Sequence, residues 1–74
     1  MLAGMAAPKT DYGITNAERR ILQMLVDGDL KKQIAYELGL SFHTIDTHLR
    51  NIYAKLQIHS RSGAIAKALK ERLL

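Results

Sequence analysis

His43, Thr47, Arg50 and Ala54 recur at intervals of four, three and four along this 74-residue chain, the repeat that puts side chains on one face of an α-helix. An imidazole, a hydroxyl and a guanidinium in one row form a short, polar, cationic surface. Such groups suit the base edges of a duplex major groove, where a guanidinium pairs with guanine and a hydroxyl meets donor or acceptor. A second row holds Thr44, His48, Asn51 and Lys55. Thr, Asn and Lys donate to phosphate oxygens, contacts that fix register without reading sequence. Lys32, with the N-terminus of its own helix, can hold the backbone from the other side. His48 lies beside the apolar row of the same helix and is read as a partly buried histidine bonded to protein. His59, in a turn, is read as an exposed bystander.

The elements that must carry these residues are legible in the apolar pattern. With Ile45 at zero on a helical wheel, Leu49, Ile52 and Leu56 fall within roughly 40° of it, opposite the row of Arg50. Between Lys31 and Arg50 stand Ala35, small enough for a second helix to approach, and Gly39, able to take the positive φ of a tight turn. Ile34, Leu38, Leu40 and Ile45 are the expected wedge between the two helices. This is the spacing of a helix-turn-helix, whose second helix is a major-groove probe. Any amphipathic helix has a polar back; the helix-turn-helix spacing is what turns this one towards DNA.

Around that unit, Thr15-Asn-Ala-Glu18 reads as a capping box for a first helix. Its buried face is expected from Ala17, Ile21, Met24 and Leu25, and Gly28 is suited to its left-handed cap. The second helix is expected from Lys31 to Leu38, the third from Ser41, its N-cap, to about Leu56, and a fourth from Arg61 to Leu73. The expected fold class is all-α: a four-helix helix-turn-helix domain spanning 14–74. Residues 1–13, with Pro8 and two glycines, read as a flexible N-terminal arm or linker.

Eleven Lys and Arg against seven Asp and Glu leave a formal charge of +4, which favours a polyanionic partner. There is no cysteine, so thiol nucleophiles, thiolate metal sites and disulfides are excluded. The histidines form no HExxH, and no cofactor loop or catalytic cluster is present, so no cofactor, no metal and no enzyme activity are expected. The opening residues are too short to span a bilayer and lack the pattern of a signal peptide. No membrane partner is expected, and the expected location is the cytoplasm, on the bacterial nucleoid when DNA is bound.

With these residues in hand, the chain resembles the LuxR-type DNA-binding domain, also called the GerE or NarL/FixJ type, from Ile14 to about Ala68. Ile14-Thr15-Asn16-Ala17-Glu18-Arg19 is similar to the family's Leu-Thr-x-x-Glu-x. Gly28 and Lys32-Gln33-Ile34-Ala35 match its first turn and scaffold helix. Ser41-Phe-His-Thr44-Ile45-Asp-Thr-His48 resembles its Ser-x-x-Thr-Val-x-x-His, and Asn51-Ile52-Tyr-Ala-Lys55-Leu56 and Ser60-Arg61 complete the ordered set. The resemblance implies a transcription regulator that binds double-stranded DNA as a homodimer, with RNA polymerase as a further possible partner. It puts Thr47 and Arg50 at groove-facing positions, with His43 as an edge contact. Lys32, Thr44 and Lys55 fall at phosphate positions beside Asn51.

Two departures stand out. Asp46 occupies a position where the family often carries a basic or neutral residue. It can accept from a cytosine amino group or pair with Arg50 four residues on, and the pairing is preferred. Leu30 replaces the usual Ser or Thr cap of the second helix, so Asp29 is the expected substitute. The resemblance also implies a C-terminal dimerisation helix: Ile65, Ala68, Leu69 and Leu73 of the fourth helix either close the core or divide the work, with Ala64 and Ile65 inward and Ala68, Leu69 and Leu73 as candidates for dimerisation. Two other functions fit parts of the pattern. A sigma-factor promoter-recognition region shares the helix-turn-helix but usually ends soon after it. A protein-interaction adaptor of the same fold would draw on Asp46 and the modest charge.

Overall fold

The structure, a computed structural model, describes residues 12–74. It consists of α1 (Asn16–Val26), α2 (Lys31–Leu38), α3 (Phe42–Leu56) and α4 (Arg61–Lys70). Residues 1–11 of the expected arm lie outside the described residues. Its last two residues, Tyr12 and Gly13, form a turn. The Tyr12 hydroxyl donates to Glu71 Oε1, and the Lys67 ammonium sits 4.8 Å above the Tyr12 ring.

The capping box at α1 is complete: the Thr15 hydroxyl accepts from Glu18 N–H at 3.1 Å, and Glu18 Oε1 accepts from Thr15 N–H at 2.9 Å. Glu18 is also buried, and Ala17 is exposed, which corrects the expected inner face of α1. A capping carboxylate must turn back over the first turn, and here that turn lies against α3. The inner face is therefore Glu18, Ile21, Leu22 and Leu25, with Met24 only half-buried.

All four helices end with an N–H bonded to the carbonyl five residues earlier: Asp29 to Met24, Leu40 to Ala35, Ile58 to Tyr53 and Leu73 to Ala68, at 2.9–3.0 Å. That closure needs one left-handed residue just beyond each helix. Gly28 (φ 97°) and Gly39 (φ 67°) supply it twice, and Gln57 (φ 58°) and Arg72 (φ 53°) supply it without being glycine. The reversal at Arg72 ends α4 three residues before the expected Leu73 and folds Leu73 back into the core at 5% exposure.

α2 packs on α3, α1 on both α3 and α4, and α4 on α3. Ile45, Leu49, Ile52 and Leu56 are the buried row of α3 and meet Ile34 and Ala35 of α2. The expected wedge is thinner than the sequence suggested. Ile34 and Ile45 are fully buried, Leu38 is half-buried, and Leu40, on the outside of the bend after Gly39, is 39% exposed. Arg61, a residue singled out only by resemblance, ties the start of α4 to the α1–α2 turn by donating to the Asp29 carbonyl.

Candidate nucleic-acid interface

Burying one side of α3 leaves the opposite side as a free surface, and His43, Thr47, Arg50 and Ala54 are all exposed along it. From His43 to Ala54 the row climbs eleven residue steps of helix, roughly 16 Å at 1.5 Å per step. Ala54 at its far end keeps the surface low, so the helix can sit deep in a groove. The Thr47 hydroxyl donates back to the His43 carbonyl at 3.1 Å. Its proton is thereby used, and the outward oxygen offers lone pairs and a methyl to a base edge. The Arg50 side chain is 77% exposed.

Asp46 has the preferred partner and one more. Its Oδ2 accepts from Arg50 Nη2 at 3.3 Å, and its Oδ1 accepts from Lys31 Nζ at 2.8 Å. The hydrogen bond from Lys31, its charge and then Arg50 hold the Asp46 carboxyl below its ordinary range. Lys31 also lies 5.6 Å from the centre of the Phe42 ring, within cation–π reach. Sequence reasoning passed over Lys31. The signal was the register: in two helices crossed by so short a turn, the first residue of α2 comes beside the second turn of α3.

The second row divides. Asn51 is exposed, whereas Thr44, His48 and Lys55 are half-buried along the seam between core and open face. Thr44 is bound into the α3 N-cap: Ser41 Oγ accepts from its N–H at 3.0 Å, and the two hydroxyls lie 2.8 Å apart. His48 has the expected burial, but among the described residues its ring makes no hydrogen bond to protein. Lys55 is held internally, donating to Glu18 Oε1 at 2.6 Å and to the Gly13 carbonyl at 3.0 Å. Burial pushes the Glu18 carboxyl up, but the bonds from Lys55 and from Thr15 N–H outweigh it and leave the group below its ordinary value. A phosphate role for Lys55 would therefore strip a buried carboxylate of its partner.

Lys32 is exposed at the second residue of α2. The N-cap of that helix is Leu30 rather than the expected Asp29, and its side chain caps none of the free N–H groups. Gln33 Oε1 accepts only from Leu30 N–H, at 2.7 Å. The uncapped start of α2 and the exposed Lys32 thus lie together on the surface.

On α4, Ala64 is buried and Ile65 is half-buried. Ala68 and Leu73 are core residues at 1% and 5% exposure, whereas Leu69 is 59% exposed. Of the three dimerisation candidates only Leu69 presents surface to a second chain. Ala68 and Leu73 close the core: Ala68 lies with Ala64 on the buried face of α4, and the bend at Arg72 turns Leu73 inward.

Residues 13–68 match the family described as bacterial regulatory proteins, luxR family. Among curated proteins, the chain is 44% identical over 61 residues to the "Uncharacterized response regulatory protein YgeK" of Escherichia coli, covering 82% of this chain and 42% of that protein. It is 41% identical over 61 residues to the "HTH-type transcriptional regulator MalT" of Vibrio cholerae, covering 82% of this chain and 6% of that one. The chain thus spans less than half the length of either relative. Among solved structures, the response regulator ChrA of a heme-sensing two-component system superposes on 96% of the chain with a TM-score of 0.81 and 35% identity, and 34% of that protein is covered.

Proposed function

The chain belongs to the luxR family of bacterial regulatory proteins, and from that premise we propose that it regulates transcription by laying α3 in the major groove of double-stranded DNA. The observation that carries this is the bare row of His43, Thr47, Arg50 and Ala54 opposite the fully buried row of Ile45, Leu49, Ile52 and Leu56. Arg50 and Thr47 read bases, His43 touches the edge of the site, and Asp46 orients Arg50. Lys32 with the open start of α2, Thr44 and Asn51 hold phosphates.

Two copies bind a two-fold symmetric site through successive major grooves. In this reading Leu69 supplies the apolar contact between them. No described helix is long and apolar enough to cross a membrane, and the cytoplasm, where the duplex lies, is the working location. The adaptor reading loses its main support once the Asp46 charge is matched by two cations. α4, packed on α1 and α3, sets the chain apart from a sigma-factor segment that ends after its recognition helix.

Chemical-shift mapping during titration with a random-sequence duplex tests the docking face. The expected shifts cluster on Lys32, Asn51 and the row from His43 to Ala54. Shifts confined to α4 or to the exposed Tyr36 face of α2 would contradict the docking.

A further inference from the structure

We propose that Lys31 is a positioning residue that sets how freely Arg50 can engage a base, acting through Asp46. This rests on the major-groove reading of Arg50 above. The three side chains form a line across the helix-turn-helix, and each oxygen of the Asp46 carboxylate serves a different cation. Lys31 Nζ takes Oδ1 at 2.8 Å, and Arg50 Nη2 takes Oδ2 at 3.3 Å. The shorter contact comes from the other helix and the longer one from the residue that faces the groove.

An aspartate one turn before an arginine on the same helix face ordinarily pairs with it. A tight pair here would hold the Arg50 fork against the helix, and the pair would have to break before a guanine could be read. Lys31 draws the carboxylate towards α2. It is fixed there by its place as the first residue of α2 and by the Phe42 ring 5.6 Å from its ammonium. Arg50 is left with one long contact that aims it and with its remaining N–H donors free for a bidentate base pair. Lys31 also neutralises a carboxylate that would otherwise face phosphate.

The test is discrimination, measured as the ratio of affinities for a selected duplex and for the duplex altered at the base pair that Arg50 reads. Lys31→Gln is expected to lower that ratio about three- to tenfold, a part of what a bidentate contact supplies. Lys31→Arg is expected to restore it. Adding Asp46→Asn to Lys31→Gln is expected to bring the ratio back to that of Asp46→Asn alone, because the carboxylate that needed restraint is gone. If Lys31→Gln weakens binding equally on both duplexes, Lys31 is a phosphate contact only and the proposal falls. The same holds if Asp46→Asn fails to suppress the loss.

A second readout needs no DNA. In the free protein, ¹⁵N relaxation of the Arg50 Nε–H is expected to show a more restrained side chain in Lys31→Gln, and unchanged mobility would overturn the relay. If the wild-type protein shows no base preference while Lys31→Gln still restrains Arg50, the base-reading role fails and the relay survives.

Discussion

Lys55→Met removes the one cation that faces the Glu18 carboxylate from α3. Deleting one partner of a buried ion pair destabilises a protein by about 3–5 kcal/mol. Here the Glu18 side chain is 6% exposed but the Lys55 side chain 33%, so water reaches one end of the pair. Glu18 also keeps its bond from Thr15 N–H at 2.9 Å. A loss of about 2 kcal/mol at pH 7 is therefore expected, which in a domain this small lowers Tm by roughly 8–16 °C.

The pH dependence carries the sign of the effect. The folded-state pKa of Glu18 lies below the ordinary 4.5. The stability that the ion pair contributes is thus fully present above that ordinary value and is lost as pH falls through the folded one. In Lys55→Met, burial without the cation favours the neutral acid, so acid removes the variant's penalty as it removes the wild-type advantage. Thermal melts followed by circular dichroism should show a wide gap at pH 7 that narrows towards pH 3. The double variant Glu18→Gln/Lys55→Met should recover part of the loss. A gap under about 0.5 kcal/mol at pH 7, or one that persists unchanged in acid, would refute the ion pair as the clasp between α1 and α3.

Lys32→Ala should weaken DNA binding evenly across sequences and reduce the slope of log affinity against log salt by about one, since it removes one phosphate contact. Gln57→Gly should raise stability by about 0.5–1 kcal/mol in chemical denaturation, because it relieves a side chain held at φ 58°. Leu69→Asp should leave the melting curve of the monomer nearly unchanged and abolish any dimer in equilibrium sedimentation, free and on DNA. An unaltered association would remove Leu69 from the interface.

The helix-turn-helix could be read from residue types because each of its steps has a local cause. Thr15 and Glu18 cap α1, Gly28 and Gly39 turn the chain, and the period of Ile45, Leu49, Ile52 and Leu56 fixes which side of α3 is bare. What the sequence concealed depends on tertiary neighbours. The same periodicity assigned Ala17 inward, because a glutamate in a capping box gives no sign that it will be buried until the lysine of another helix lies beside it. Lys55 looked like a surface cation for the same reason. Gln57 and Arg72 carry no chemical mark of the left-handed conformation, so the end of α4 was hidden and the place of Leu73, core or dimer contact, stayed open. The Asp46–Arg50 pair was visible as an i, i+4 spacing, whereas Lys31 required the crossing of α2 on α3.

Selection of bound sites from a random duplex pool at fixed, near-physiological salt tests most directly whether the exposed row of α3 reads DNA sequence. The wild-type protein is expected to enrich a two-fold symmetric motif, and Arg50→Ala and Thr47→Ala are each expected to relax the preference at their own base positions while leaving the rest of the motif intact. A pool that enriches nothing, or a motif unchanged by both substitutions, would contradict the assignment of α3 as the reading helix.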